Sequence, residues 1–187
     1  MAQAKDNIVT KGFSGSIDRT LTFRQRAGVT IVTKMRRPGS TTITEKMQAV
    51  RTRFLASIAY AKRAIKNAVT KEMYNAAATG LKSGFNLATA DAFNAPKVNS
   101  INSDNYHGAV GETIEIDATD DFKVVSVLVS IHNAAGVLVE QGDAVLQVDK
   151  PDWLYTATQA NATRAGSKIS AIATDLPGNT GSLEITL

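Results

Sequence analysis

Catalytic chemistry requires a nucleophile, an acid–base residue or a metal cluster, and this chain offers few candidates. Its 187 residues contain no Cys and two histidines, His107 and His132. Neither histidine has a Ser or an acidic partner at a motif spacing. Phosphate-binding glycine loops, nucleophile elbows and His-Glu-x-x-His motifs are also missing from the sequence. The residues therefore predict a protein that is not an enzyme and that has no disulfide or thiolate chemistry.

Basic residues are concentrated in the first half of the chain. The net charge of +4 combines +11 on residues 1–92 with −7 on residues 93–187. Such opposed charges predict a basic part that meets an acidic partner. The candidate partner-binding residues are Arg24, Arg26, Lys34, Arg36, Arg37, Lys46, Arg51, Arg53, Lys62, Arg63 and Lys66.

The first of these basic residues lie on a predicted β-hairpin. Residues 16–26 and 29–36 alternate between apolar and polar side chains on either side of a short turn that contains Gly28. Arg24 and Arg26 share one face of the first strand because successive side chains of a strand alternate. The hairpin is therefore expected to present a basic face.

The remaining basic residues of this set lie on a predicted amphipathic helix. Thr42 and Glu45 have the spacing of a capping box, and the apolar residues that follow recur at steps of three and four as far as Val69. Two shorter helices are expected at about residues 70–80 and 83–93. The expected helical core consists of Met47, Val50, Phe54, Ile58, Ile65 and Val69.

After Pro96 the periodicity changes from helical to alternating. Eight short alternating segments with no helical pattern between them favour an antiparallel sandwich. The predicted strands are residues 97–101, 112–118, 123–131, 137–140, 144–148, 153–157, 168–174 and 182–187. Their expected core consists of Ile114, Ile116, Val125, Val127, Val129, Trp153, Ile172 and Leu183.

Residues 97–187 resemble a bacterial immunoglobulin-like (Ig-like) or cadherin-like domain. The resemblance is carried by residues 114–121, 125–129, 153–157 and 172–179; the last of these contains Ala-Thr-Asp followed by a Gly-Asn turn. It implies an Ig-like sandwich and, loosely, adhesion or display, but no activity. The two cysteines of antibody domains are absent, and Ile116 and Ile172 are expected to fill the corresponding space between the sheets.

The same resemblance implies that a group of oxygen-bearing side chains converges. In an Ig-like topology, the connection after the second strand and the one before the last strand emerge at the same end. Carboxylate and amide oxygens suit Ca²⁺, which takes about six to eight oxygen ligands. We favour the simpler interpretation that these residues build Asx turns, with a Ca²⁺ site as the alternative. The candidate ligands are Asp117, Asp120, Asp121, Asp175 and Asn179.

Together these patterns predict an α+β protein. A basic hairpin-and-helix anchoring domain occupies residues 1–95, and an antiparallel Ig-like β-sandwich occupies residues 96–187. The predicted function is that of a non-enzymatic structural or assembly protein, such as a virion decoration, appendage or surface protein, that docks to an acidic partner or to other copies. One alternative is a sequence-independent architectural protein that binds nucleic acid through the same basic residues. Another is glycan or surface adhesion through the Ig-like domain. No cofactor is expected other than Ca²⁺.

The sequence contains no pattern that would target the chain to a membrane. The N-terminus lacks an apolar stretch after a basic start, so no secretory signal is expected. The longest apolar run, at residues 124–131, is far shorter than the roughly 20 residues that span a bilayer. We therefore expect no membrane span and favour a cytoplasmic or assembly-associated location over classical secretion.

Overall fold

The computed structural model describes residues 2–4, 8–18, 20–26, 28–35, 43–80 and 82–187. Helices and antiparallel sheets are both present, as an α+β class requires. The chain divides into two compact units, Met1–Ala49 with Thr79–Lys82 and Val50–Ala78 with Ser83–Leu187. This division differs from the predicted boundary between residues 95 and 96, because most of the helical segment groups with the C-terminal strands.

The first unit contains a four-stranded antiparallel sheet rather than a hairpin alone. Its strands β1 (Ala2–Ala4), β2 (Gly15–Ile17), β3 (Leu21–Arg26) and β4 (Val29–Lys34) lie in the order β1-β4-β3-β2. Strands β3 and β4 form the predicted hairpin. The expected first strand, residues 16–26, is interrupted because Asp18 adopts a positive φ of 47°. The chain turns back at this point, and β2 pairs with β3.

Three helices follow: α1 (Glu45–Lys66), α2 (Ala68–Ala77) and α3 (Gly84–Phe93). The long predicted helix ends early because the Asn67 side chain accepts hydrogen bonds from the backbone N–H groups of Val69 and Thr70 and so begins α2. Thr42 of the predicted capping box lies outside the described residues. At the start of α1, Thr44 Oγ1 accepts a hydrogen bond from the backbone N–H of Met47.

The buried face of α1 consists of small residues, so the predicted helical core is wrong. Ser57, Ala61 and Ala64 are the buried residues of α1. A face of Ser and Ala gives no strong hydrophobic pattern, and the larger apolar residues instead mark the exposed part of the helix. Met47, Val50, Phe54 and Val69 are 45–67% exposed, whereas Ile58 and Ile65 are half-buried. Among the described residues, no helix has the length and apolar character needed to cross a membrane.

All eight strands predicted after Pro96 are present. They form two four-stranded antiparallel sheets, ordered β5-β6-β10-β9 and β12-β11-β7-β8, and both sheets contribute side chains to one core. The strands are β5 (Lys97–Asn102), β6 (Thr113–Thr119), β7 (Val124–His132), β8 (Leu138–Asp143), β9 (Val145–Leu146), β10 (Trp153–Thr156), β11 (Lys168–Asp175) and β12 (Thr180–Thr186).

The core of these sheets follows the predicted pattern at most positions. Leu183 packs against it, and its buried predicted members are Ile114, Ile116, Val127, Val129 and Trp153. Val125 is 46% exposed and Ile172 is half-buried, so these two assignments are wrong. Burial alternates along β11, with Ala171 and Ala173 buried in the core. Ile172 therefore belongs to the opposite face and does not fill the space between the sheets.

Glu140 is a buried carboxylate on β8 that the sequence analysis did not single out. It is 6% exposed. Its Oε2 accepts hydrogen bonds from the backbone N–H groups of Thr158 (2.8 Å) and Gln159 (3.2 Å) and from the Thr158 hydroxyl (2.8 Å). Glu140 therefore fixes the segment that follows β10 to the opposite sheet.

We expect Glu140→Ala to lower the free energy of unfolding of the second unit by about 2–4 kcal/mol, because both backbone donors lose their acceptor. Urea denaturation followed by the fluorescence of Trp153, the sole tryptophan, measures this loss. Glu184→Ala is the control, since Glu184 is exposed and forms a surface ion pair with Lys168. This variant should lose less than about 1 kcal/mol of the free energy of unfolding. Equal losses in the two variants would contradict the role given to Glu140.

Candidate functional site

Three aspartates from separate elements of the second unit meet in an acidic cluster, defined as Asp91, Asp120 and Asp175. One carboxylate oxygen of each lies within 4.8 Å of an oxygen of the other two. Asp91 is fully buried on α3, Asp175 is 3% exposed at the end of β11, and Asp120 is half-buried between β6 and β7. The fold therefore concentrates three acidic groups where little water reaches them.

The turns that carry Asp120 and Asp175 are held by the aspartates themselves. Asp120 Oδ2 accepts hydrogen bonds from the backbone N–H groups of Phe122 (3.2 Å) and Lys123 (3.1 Å). Asp175 Oδ1 accepts from those of Gly178 (2.8 Å) and Asn179 (2.5 Å). These are the Asx-type contacts expected from the sequence. They leave Asp120 Oδ1 and Asp175 Oδ2 as the remaining oxygens of the two carboxylates.

Asp91 is held from the helical side by Tyr74, whose hydroxyl is in turn in contact with that of Tyr60. The Tyr74 hydroxyl donates a hydrogen bond to Asp91 Oδ2, and the Tyr60 and Tyr74 hydroxyl oxygens lie 3.0 Å apart. Tyr74 is fully buried, and its ring centroid lies 4.5 Å from that of Phe122. The hydroxyl of Tyr74 thus fixes the orientation of the Asp91 carboxylate.

Burial and mutual repulsion change the ionisation of the cluster. Burial raises the pKa of Asp91 to about 7, and the neighbouring Asp120 carboxylate adds to this rise, although the hydrogen bond from Tyr74 opposes it. Burial also raises the pKa of Asp175, while hydrogen bonds from Asn179 oppose the shift. Burial is likewise the main cause of the raised pKa of Tyr74. The negative charge of the cluster is therefore costly in the folded chain.

Among the described residues, no positive side chain forms an ion pair with the acidic cluster. The ion pairs recorded there are His107–Glu112, Lys150–Glu115 and Lys168–Glu184, none of which includes a cluster residue. Asp91 Oδ1 and Asp120 Oδ1 are buried and have no hydrogen-bond partner among the described residues. Buried polar atoms of this kind usually have a partner.

The structure brings together three of the five predicted ligands. Asp120 and Asp175 belong to the cluster, and Asn179 Nδ2 donates a hydrogen bond to Asp175 Oδ2 (2.7 Å). Asp117 does not join them, because Ile116 and Ala118 on β6 are buried in the core and Asp117 therefore lies on the opposite face.

Asp117 and Asp121, the two predicted ligands outside the cluster, have other partners. Asp117 Oδ2 accepts a hydrogen bond from Asn99 Nδ2 (3.1 Å), and Asp121 Oδ2 accepts one from Asn94 Nδ2 (2.5 Å). Both contacts are exposed. The predicted ligand set is corrected accordingly: the carboxylates that converge are those of Asp91, Asp120 and Asp175.

Sequence reasoning missed Asp91 and Tyr74. The strands and turns drew attention to the C-terminal half, whereas these two residues lie on α3 and α2. A local signal was present: Asp91 is an isolated carboxylate in the run Ala88-Thr89-Ala90-Asp91-Ala92-Phe93. An acidic residue in an otherwise apolar helical segment indicates a buried partner or ligand.

The predicted basic residues that the structure describes are all exposed. Those of the first unit are Arg24, Arg26, Lys34 and Lys46, and those of the second unit are Arg51, Arg53, Lys62, Arg63 and Lys66. Arg36 and Arg37 lie outside the described residues. The guanidinium of Arg53 lies 4.2 Å from the ring centroid of Phe93, and Arg53 and Arg63 line a small cavity of about 220 Å³.

The two histidines lie in ordinary surroundings. His107 Nδ1 lies 3.4 Å from Glu112 Oε1, and the His107 side chain is 67% exposed. Glu112 Oε2 accepts hydrogen bonds from the backbone N–H groups of Ala109 and His107, which lower the pKa of the Glu112 carboxyl. His132 is half-buried at the end of β7. The Glu112 contacts order the loop before β6.

Comparisons with known proteins assign no family to the chain. No family model and no curated protein matches it. Among solved structures, an engineered protein determined by crystallography at 1.98 Å is similar over 55% of this chain, with 18% sequence identity and a TM-score of 0.35. The chain spans 25% of the length of that protein. A likeness at this level carries no argument about function.

Proposed function

We propose that this chain is a non-enzymatic structural protein of a multicopy assembly and that the first half of α1 docks to an acidic surface. One observation carries the proposal: every residue from 45 to 56 of α1 is exposed. This segment, the α1 docking surface, extends for about three turns beyond the buried part of the helix. Isolated helices shorter than about 12–15 residues are marginal in water. A partner that covers the segment would stabilise it.

The composition of the α1 docking surface suits a protein interface. Its apolar residues are between 45% and 65% exposed, and they are Met47, Val50, Phe54 and Leu55. Lys46, Arg51 and Arg53 lie among them, against one acidic residue, Glu45. Met, aromatic residues and Arg are enriched in interfaces, where apolar anchors supply most of the affinity and charges direct the partner. The surface therefore fits an acidic partner with an apolar centre.

We assign the acidic partner surface to another copy of this chain. Residues 93–187 carry a net charge of −7. The exposed carboxylates of this half include those of Asp104, Asp143 and Asp149. A basic surface on one copy that meets an acidic surface on the next forms a heterologous contact, which propagates into a ring or a filament.

The strands of the second unit are proposed to form an Ig-like sandwich that the assembly displays. If β5 to β12 are lettered A, B, C, C′, D, E, F and G, the two sheets have the orders A-B-E-D and G-F-C-C′. This order supports an Ig-like topology. Trp153 and Tyr155 are 7% and 4% exposed, so they do not support the alternative of an aromatic platform for glycans. Virion decoration, appendage and surface assemblies are settings that fit a displayed domain of this kind.

Light scattering of the intact chain over a range of concentrations tests the proposal. We expect a mass above that of the 19.9 kDa monomer that rises with protein concentration and falls as salt is added, since salt screens the opposed charges. Titration with a fluorescent DNA duplex addresses the nucleic-acid alternative. A chain that stays monomeric at all concentrations and binds the duplex, with an affinity that falls steeply with log salt, would contradict the assembly function.

A further inference from the structure

We infer that the acidic cluster binds one Ca²⁺ ion through Asp91, Asp120 and Asp175, and that the ion fastens α3 to the turns β6–β7 and β11–β12. This site lies within the second unit and does not involve the α1 docking surface. It is therefore independent of the proposed assembly function.

The spacing of the carboxylates fits a single Ca²⁺. The contributing oxygens all lie within 4.8 Å of one another. Ca²⁺ binds oxygen at about 2.3–2.6 Å, so two ligands on opposite sides of the ion are separated by about 4.6–5.2 Å. Three oxygens within the observed span are therefore close enough to share one ion. Ca²⁺ fits such a group better than Mg²⁺ does, because Mg²⁺ demands near-ideal octahedral geometry whereas Ca²⁺ accepts irregular sets of oxygen ligands.

Unpartnered buried oxygens point to a ligand rather than to turn building alone. The hydrogen bonds of the turns and of Tyr74 use Asp120 Oδ2, Asp175 Oδ1 and Asp91 Oδ2. Asp91 Oδ1 and Asp120 Oδ1 are buried and have no hydrogen-bond donor among the described residues, and Asp91 has no exposed surface. The two side chains lie within hydrogen-bonding reach of each other, which two carboxyl groups can use only through a shared proton or a bridging cation. An Asx turn requires one oxygen of each carboxylate. Asp91 Oδ1 and Asp120 Oδ1 therefore remain for a cation, and Asp175 Oδ2, which accepts a hydrogen bond from Asn179 Nδ2, still has a lone pair for the same ion.

The charge of the acidic cluster is a second reason to assign a cation to it. Three carboxylates are enclosed together, and none of the ion pairs in the described part of the chain includes them. A buried anionic group is strongly unfavourable unless a cation, a proton or hydrogen bonds compensate it. A divalent cation neutralises most of the charge of three carboxylates and also satisfies the unpartnered oxygens.

Thermal unfolding of the intact chain, followed by Trp153 fluorescence, tests the site. We compare CaCl₂ with EDTA, and with NaCl at equal ionic strength as the control for general salt effects. At a Ca²⁺ concentration about 100 times the dissociation constant, we expect the melting temperature of the second unit to rise by about 5–10 °C. The same melting temperature in all three conditions would overturn the inference.

Two substitutions assign the effect to the cluster. We expect Asp91→Asn to remove the response to CaCl₂, while its melting temperature in EDTA stays equal to or above that of the unchanged chain because one buried negative charge is gone. Asp117→Asn is the matched control and should keep the full response, since Asp117 bonds Asn99 outside the cluster. If Asp91→Asn does not fold, Asp120→Asn replaces it, because Asp120 is only half-buried.

Binding is also detected directly with Tb³⁺, which occupies Ca²⁺ sites and emits when a nearby aromatic ring is excited. Tyr74 bonds Asp91 and is therefore placed to sensitise the ion. We expect emission that saturates with Tb³⁺, that CaCl₂ displaces, and that is lost in Asp91→Asn but kept in Asp117→Asn. Emission that is equally strong in both variants would overturn the assignment of the site.

Discussion

Gly181→Ala should destabilise the second unit by at least about 3 kcal/mol, although alanine is ordinarily the better residue within a strand by about 0.5–1 kcal/mol. Gly181 lies in β12 opposite Ala173. A Cβ atom at this position would overlap the carbonyl oxygen of Pro96 and lie 2.8 Å from its carbonyl carbon. Pro96 is buried at the start of β5, so backbone rather than a flexible side chain would have to move. A glycine within a strand commonly marks such a close approach.

Urea denaturation monitored by Trp153 measures the loss. The neighbouring Ser182→Ala is the control, since Ser182 is exposed and its substitution should change the free energy of unfolding by no more than about 0.5 kcal/mol. If Gly181→Ala were as stable as Ser182→Ala, the close contact between β12 and the start of β5 would be wrong.

Leu55→Asp should weaken assembly by about 30-fold or more while leaving the monomer folded. Leu55 is 65% exposed in the α1 docking surface, so the substitution removes little buried area from the isolated chain. In the assembly it would place a charge at the apolar centre of the interface, where the loss of one anchor costs about 2 kcal/mol or more. Light scattering of the variant across a concentration series measures the shift.

Ile8→Asp provides the matched control for this variant. Ile8 is 90% exposed and lies outside both the α1 docking surface and the acidic half of the chain, and the substitution introduces the same side chain and the same charge. Its assembly should remain within about threefold of that of the unchanged chain, because substitutions away from an interface anchor have small effects. Equal weakening by the two variants would mean that added negative charge, rather than position on α1, controls the assembly.

Most strands after Pro96 were predictable because one of their faces packs on the core, although both residues of β9 are exposed. Alternation along β6 and β11 gives a period of two, and Gly, Asn, Asp and Pro residues separate the segments. The same rule also explains the errors. On β11 the core face belongs to Ala171 and Ala173, so the larger Ile172 lies on the other face. Side-chain size was a weaker guide to burial than alternation.

The helical segment and the acidic cluster were less predictable. The buried stripe of α1 is Ser57, Ala61 and Ala64, whose small side chains have a weak hydrophobic pattern. The cluster combines residues far apart in sequence, since Asp91 contributes from α3 and Asp175 from β11. Asp120 and Asp175 were predictable because aspartate is common in turns. Asp91 was not, because it reaches the cluster only through the packing of α3 against these turns.

Hydrogen exchange of the intact chain, compared between dilute and concentrated solutions, tests most directly whether residues 45–56 form the docking surface. We expect slower exchange of the backbone amides of this segment in the concentrated solution, with no change in α2, because a partner covers only the exposed half of α1. Exchange in residues 45–56 that is equally fast in both solutions, while light scattering shows a larger mass in the concentrated one, would contradict it.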